Sequence, residues 1–148
     1  MKLITLAVFC GVSLFAADPH GFAIWTPSQV KSMESKMAGK KTATQQLERF
    51  GNHYTMLAHR EENGSAELHE TEADVFVIES GGGTIVVGGE MVGGKKTAEH
   101  EMRGPSIRGG TEHKVAAGDI IHIPPKTPHQ FLVPNGTEVT YFVIKVIE

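Results

Sequence analysis

Three residues have the types and spacing for metal chemistry: His69, Asp74 and His129. The first two lie in one segment, Ala66 to Gly81. Strand alternation there sends Glu67 and His69 to one side and Leu68 to the other. Glu70 to Ala73 read as a tight connection, and Asp74 to Ile78 as a strand running back, which would bring Asp74 near His69. Imidazole and carboxylate donors from neighbouring strands suit a first-row transition metal. Glu72 stays open as the acid in place of Asp74, because a slip of one residue reverses the faces of a strand.

His129 comes from Gly118 to Phe131, which reads as a strand, a stiff turn and a second strand. Ile120, Ile121 and Ile123 suit a half-buried sheet surface. Pro124, Pro125 and Pro128 then end ladder pairing, since each lacks a backbone N–H and fixes its own φ. A histidine leaving so rigid a turn is held in place, which is what a ligand or a base needs from its scaffold. Other histidines are candidates for proton transfer beside it: His53, His59 and His122. If His53 to Arg60 alternate with period two, His53 and His59 share a face with Thr55 and Leu57, and that face is expected to line the pocket.

The elements that must position these side chains are mostly strands. The 148 residues include 17 glycines and 7 prolines, a composition of many turns and short strands, not of a helical bundle. One helix is expected over residues 27–37, capped by Thr26, with Pro27 in its first turn and Val30, Met33 and Met37 at helical spacing. Residues 18–42 form the segment that carries it, and residues 43–148 form the β domain. Gly81 to Gly83 read as a hairpin turn, Glu90 to Gly110 as a long loop whose Glu101, Arg103 and Arg108 could contact a ligand, and Thr137 to Ile147 as a long closing strand.

Residues 1–17 read as an export signal: Lys2, an apolar run from Leu3 to Phe15, and small residues at Ala16 and Ala17. Cys10 lies inside that run, so the mature chain is expected to hold no cysteine and no disulfide, in the periplasm or outside the cell. The net charge of −3 and the lack of a basic run argue against nucleic acid as a partner. No second apolar span follows, so no membrane association is expected once the signal is removed.

Taken together, these residues resemble a small single-domain cupin, over roughly Tyr54 to Lys145. His69 matches the second histidine of the family's first motif, Asp74 its acid and Gly81 its final glycine. Gly118, Pro124 and His129 match the second motif, with Lys126 where a glycine is usual and Val133 where an asparagine would fall. The first histidine of the usual pair is replaced by Glu67.

The resemblance implies an all-β fold, an antiparallel jelly-roll barrel of about six to eight strands, here with one N-terminal helix. It also implies a divalent transition metal (Fe, Mn, Zn or Ni) held by His69, Asp74 and His129, with Glu67 as a replacement fourth ligand, or else weakened metal binding. A homodimer and a small-molecule ligand or substrate belong to the same expectation. Two function classes follow: a metal-dependent enzyme such as an oxygenase or isomerase, and a non-catalytic binding or sensing module of the envelope.

Overall fold

The computed structural model describes residues 18–148, so the expected export signal and Cys10 lie outside the described residues. Helix α1 (Pro27–Met37) has the expected bounds. Its start is a reciprocal cap: Gln29 N donates to Thr26 Oγ1, and Thr26 N donates to Gln29 Oε1 at 2.8 Å. Met37 is buried, and Trp25 packs on Phe142 with ring centroids 5.3 Å apart, so the helix and its lead-in cover the outer face of the sheet.

The strands are β1 (Thr42–Arg49), β2 (His53–Arg60), β3 (Ala66–His69), β4 (Glu72–Val87), β5 (Glu90–Val92), β6 (Lys95–Ala98), β7 (Glu101–Gly104), β8 (Ser106–Arg108), β9 (Thr111–Ala116), β10 (Ile120–Ile123), β11 (His129–Leu132) and β12 (Val139–Ile147). All pair antiparallel, in the order β1-β2-β12-β4-β11-β3-β7-β6, with β9 and β10 also on β4 and a separate β5–β8 ribbon. The result is a curled jelly-roll barrel whose apolar core joins Ala58, Phe76, Ile78, Ile85, Phe131, Tyr141 and Val143.

Strand β4 is the backbone of this arrangement. Its first half pairs with β12 and β10, and its second half with β9 and β11. The expected hairpin at Gly81 to Gly83 is therefore not formed: the chain runs straight through the three glycines and passes from one sheet to the other. Crowding explains the residue type, because a Cβ on Gly81 would lie 1.9 Å from the Glu138 carbonyl oxygen and its φ is +68°.

Two further expectations are corrected. Glu90 to Gly110 is not a long loop but holds four short strands, β5 to β8, separated by tight turns. Strands β3 and β4 do not pair with each other: β3 lies between β11 and β7. Asp74 thus reaches His69 across the barrel interior and not along a hairpin.

Candidate metal centre

Two rows of inward-facing side chains meet inside the barrel. On one wall, Glu67 of β3 sits between its cross-strand partners Arg103 of β7 and His129 of β11, and His69 faces Glu101. On the other, Asp74 of β4 faces Lys145 of β12. Parity places each, since β12 directs Tyr141, Val143 and Lys145 into the same cavity that Met56, Ala58 and Arg60 of β2 line. That cavity has a volume of about 270 Å³.

The candidate ligands converge. Asp74 Oδ2 lies 3.4 Å from His69 Nε2 and 3.3 Å from His129 Nε2, and Glu67 Oε2 lies 3.6 Å from His69 Nε2. Ligand atoms of Glu67, His69 and His129 all fall within 4.8 Å of one another. His69, Asp74 and His129 are each no more than 4% exposed.

The turn before β11 orients His129. Its Nδ1 lies 3.1 Å from the Thr127 carbonyl, which can only accept, so Nδ1 carries the hydrogen and Nε2 presents a bare lone pair. That Nε2 is buried without a hydrogen-bond partner among the described residues, and the nearby Asp74 Oδ2 is another acceptor. A cation between the two, proton or metal, is what this geometry requires. The chain's donor set fits a transition metal on that ground.

On the same turn, Lys126 takes φ +62°, a left-handed conformation that explains why glycine is usual there, and its N–H donates to the His69 carbonyl at 2.7 Å. One backbone bond therefore ties the His129 turn to the His69 strand.

The acids are held ionised. Burial alone would push the Glu67 carboxyl up, but His69, Arg103 and Arg60 around it outweigh burial and hold it far below the usual range. Arg103 makes a 2.6 Å contact with Glu67 Oε1, and Arg60 approaches the same oxygen at 3.5 Å. For Asp74, burial is likewise outweighed, by His129 and Lys145, and its carboxyl is held down. Arg60 Nε in turn donates to the Tyr141 hydroxyl at 2.7 Å, and burial pushes that phenol up.

Not every candidate comes to this cluster. His59 is buried on the opposite face of β2, with Nδ1 2.9 Å from Thr140 Oγ1 and Nε2 3.2 Å from Glu61 Oε1. The residues grouped with it by alternation share its face, but that face lies under the helix side and not in the barrel. His53 stacks on Phe50, and His122 is exposed on β10. Among the described residues none of the three makes a hydrogen bond or ion pair to Glu67, His69, Asp74 or His129. Glu72 accepts from the Tyr54 hydroxyl at 3.0 Å and lies 3.7 Å from Lys145 Nζ, beside the cluster and not within it. Arg108 pairs with Glu90 on the surface.

Lys145 is the site residue that the sequence reading missed. It is 9% exposed, with Nζ 2.7 Å from Asp74 Oδ1 and 2.8 Å from His69 Nε2. The signal was available: Val139, Tyr141, Val143 and Lys145 keep one parity along a strand whose inner face is otherwise apolar or aromatic.

No family model matches the chain, and no curated protein matches it. Solved structures do. The polyketide cyclase RemF from Streptomyces resistomycificus superposes with a TM-score of 0.52 at 17% identity, covering 74% of this chain and 67% of that one. A cupin-2 domain protein from Rhodospirillum rubrum gives 0.54 at 18% identity over 73% of this chain, and the DMSP lyase DddQ from Ruegeria pomeroyi gives 0.52 at 12% over 72%. The chain spans 61% and 47% of the lengths of those two. At such identities the likeness is one of fold, and it agrees with the strand order and with the glycine, proline and histidine positions above: the chain has the cupin fold.

Proposed function

We propose that this protein is an exported cupin that holds a divalent transition metal in its barrel and takes a small polar molecule beside it. His69, His129, Asp74 and Glu67 would hold the ion, and two imidazoles with carboxylates suit Fe, Mn, Zn or Ni. The observation that carries the reading is the buried, unpartnered Nε2 of His129 facing Asp74 Oδ2 at 3.3 Å. When bound, the metal would supply Lewis acidity to a ligand oxygen or a site for oxygen.

The chain's own residues would do the rest. Arg60 and Arg103 share the cavity wall with Glu67, and a ligand's carboxylate or other anionic oxygen is what two guanidiniums orient best. Phe76, Tyr141, Val143 and Met56 keep the apolar side of the ligand dry. That cupin-fold proteins include a polyketide cyclase and a DMSP lyase supports a small molecule as the occupant and leaves the reaction open.

The test is metal content. Purified protein should retain about one transition ion per chain, and His129→Ala should lose it; equal content in both would remove the site. Export is checked by mass spectrometry of the secreted form, which should begin near Ala17 or Asp18. A homodimer belongs to the same reading, supported by β1, which among the described residues pairs only with β2 and leaves its other edge open.

A second reading is favoured by one contact. Lys145 Nζ already neutralises Asp74 at 2.7 Å, so the cavity can be charge-balanced as a metal-free capture site. Saturable ligand binding by chelator-treated protein, with no turnover on adding Fe(II) or Mn(II), would favour it.

A further inference from the structure

Lys145 stands where its charge and the metal's must compete. A lysine on the inner row of β12, beside Tyr141 and Val143, is costly to bury unless it is paired. It is paired twice, to Asp74 Oδ1 at 2.7 Å and to His69 Nε2 at 2.8 Å. An ammonium only donates, so the His69 lone pair that a metal would need is the one that accepts from Nζ. The cluster is thereby divided: His129 Nε2 is open towards Asp74 Oδ2, while His69 Nε2 and Asp74 Oδ1 already face a cation.

We propose that Lys145 is a built-in competitor for the metal, so that an ion is held by His69 and Asp74 only as Nζ leaves them. The inference rests on the metal-binding reading above. It makes Lys145 a determinant of metal affinity without being a ligand. Glu72 Oε2, 3.7 Å from Nζ, offers the displaced ammonium a second carboxylate, so displacement does not leave it unpaired. Two cations that cannot share one set of acceptors weaken each other reciprocally.

The experiment is calorimetric titration of the chelator-stripped full chain with Zn(II) and, separately, Mn(II). Lys145→Gln removes the charge and keeps a donor for Asp74, whereas Lys145→Arg keeps a cation. Lys145→Gln should bind at least about tenfold more tightly than wild type, with Lys145→Arg no tighter than wild type. A merely structural lysine would instead make both variants bind equally or more weakly, which overturns the proposal. If wild type and Lys145→Gln both fail to bind, the metal reading itself falls. If wild type binds, His129→Ala does not, and Lys145→Gln shows no gain, only the role of Lys145 falls.

Should Lys145→Gln not fold, the wild-type chain still decides. Zn(II) should raise the rate at which an acylating reagent modifies Lys145, read by peptide mass spectrometry, because Nζ is released from its buried partners. An unchanged or slower rate overturns the proposal.

Discussion

Two clusters in this barrel look alike on a list of residue types. One is internal, His69, His129 and Glu67 with Asp74; the other is on the outer face, His59 with Glu61 and Glu138. Each brings three potential ligand atoms within 4.8 Å. They differ in what the imidazoles already do. Both His59 nitrogens have partners, Thr140 Oγ1 and Glu61 Oε1, and Glu61 Oε1 also accepts from Gly39 N just past the helix. That chain of bonds fastens the end of α1 to β2, assisted by Ser80 to Glu34. Inside the barrel, by contrast, His129 Nε2 has no donor and faces an acid. A site is distinguished from a latch by the group left unsatisfied, not by the inventory.

The sharpest way to break that contrast is to truncate one histidine on each face. His129→Ala should weaken metal binding by roughly 100-fold or more, since loss of even an outer partner of a ligand commonly costs ten- to a hundredfold. His59→Ala should leave metal stoichiometry and affinity unchanged and instead lower stability by about 2–4 kcal/mol, from lost packing and an unpaired Thr140 hydroxyl. Calorimetric titration with Zn(II) and denaturant melts of both variants measure the pair. Loss of metal binding in His59→Ala would erase the distinction.

How much of this was legible follows the same line. Residue types and turn chemistry placed α1, the His129 turn and the closing strand, because a cap, three prolines and a β-branched run act locally. The convergence of His69, Asp74 and His129 is legible for the same reason, each standing next to a recognisable turn. What failed was the question of which face is inside. His53, Thr55, Leu57 and His59 do share a face, but both faces of β2 are covered, one by the core and one by the helix side, so burial of alternate residues does not say which face meets the cavity. Lys145 was passed over because a lone lysine in a long strand reads as exposed, and only its partner Asp74, 71 residues away in sequence, makes it a buried one. The three glycines misled because close backbone approach and a hairpin turn ask for the same residue; only the tertiary crossing separates them.

The acids carry the comparison to stability. In chelator-stripped protein Asp74→Ala should destabilise by about 1–3 kcal/mol, since it removes the nearer carboxylate of a buried lysine and leaves only Glu72, at 3.7 Å, to balance it. Urea melts of the variant should show it as a lower midpoint at unchanged slope. Glu61→Gln touches a solvent-facing partner and should leave the urea midpoint close to that of wild type. A large loss from Glu61→Gln with none from Asp74→Ala would reverse the ranking of the two clusters.

The smallest and most discriminating difference is in acid. The folded-state carboxyls of Glu67, Asp74 and Glu61 all lie below their ordinary values, Glu67 and Asp74 because the hydrogen bonds and charges of their neighbours outweigh burial, and Glu61 through its bond to His59. A depressed folded value means stability that is fully present above the unfolded carboxylate range, about pH 4, and is lost as pH falls through the folded value. All three therefore act in the same direction, and sign alone does not separate the clusters. Position does, because water screens Glu61 and not Glu67. Glu67→Gln should flatten the fall of stability between about pH 4 and pH 2, while Glu61→Gln should leave that slope nearly as in wild type. Equal flattening by both substitutions would mean that the interior is as well solvated as the outer latch, and a lone pair left open there would then be no sign of a metal's place.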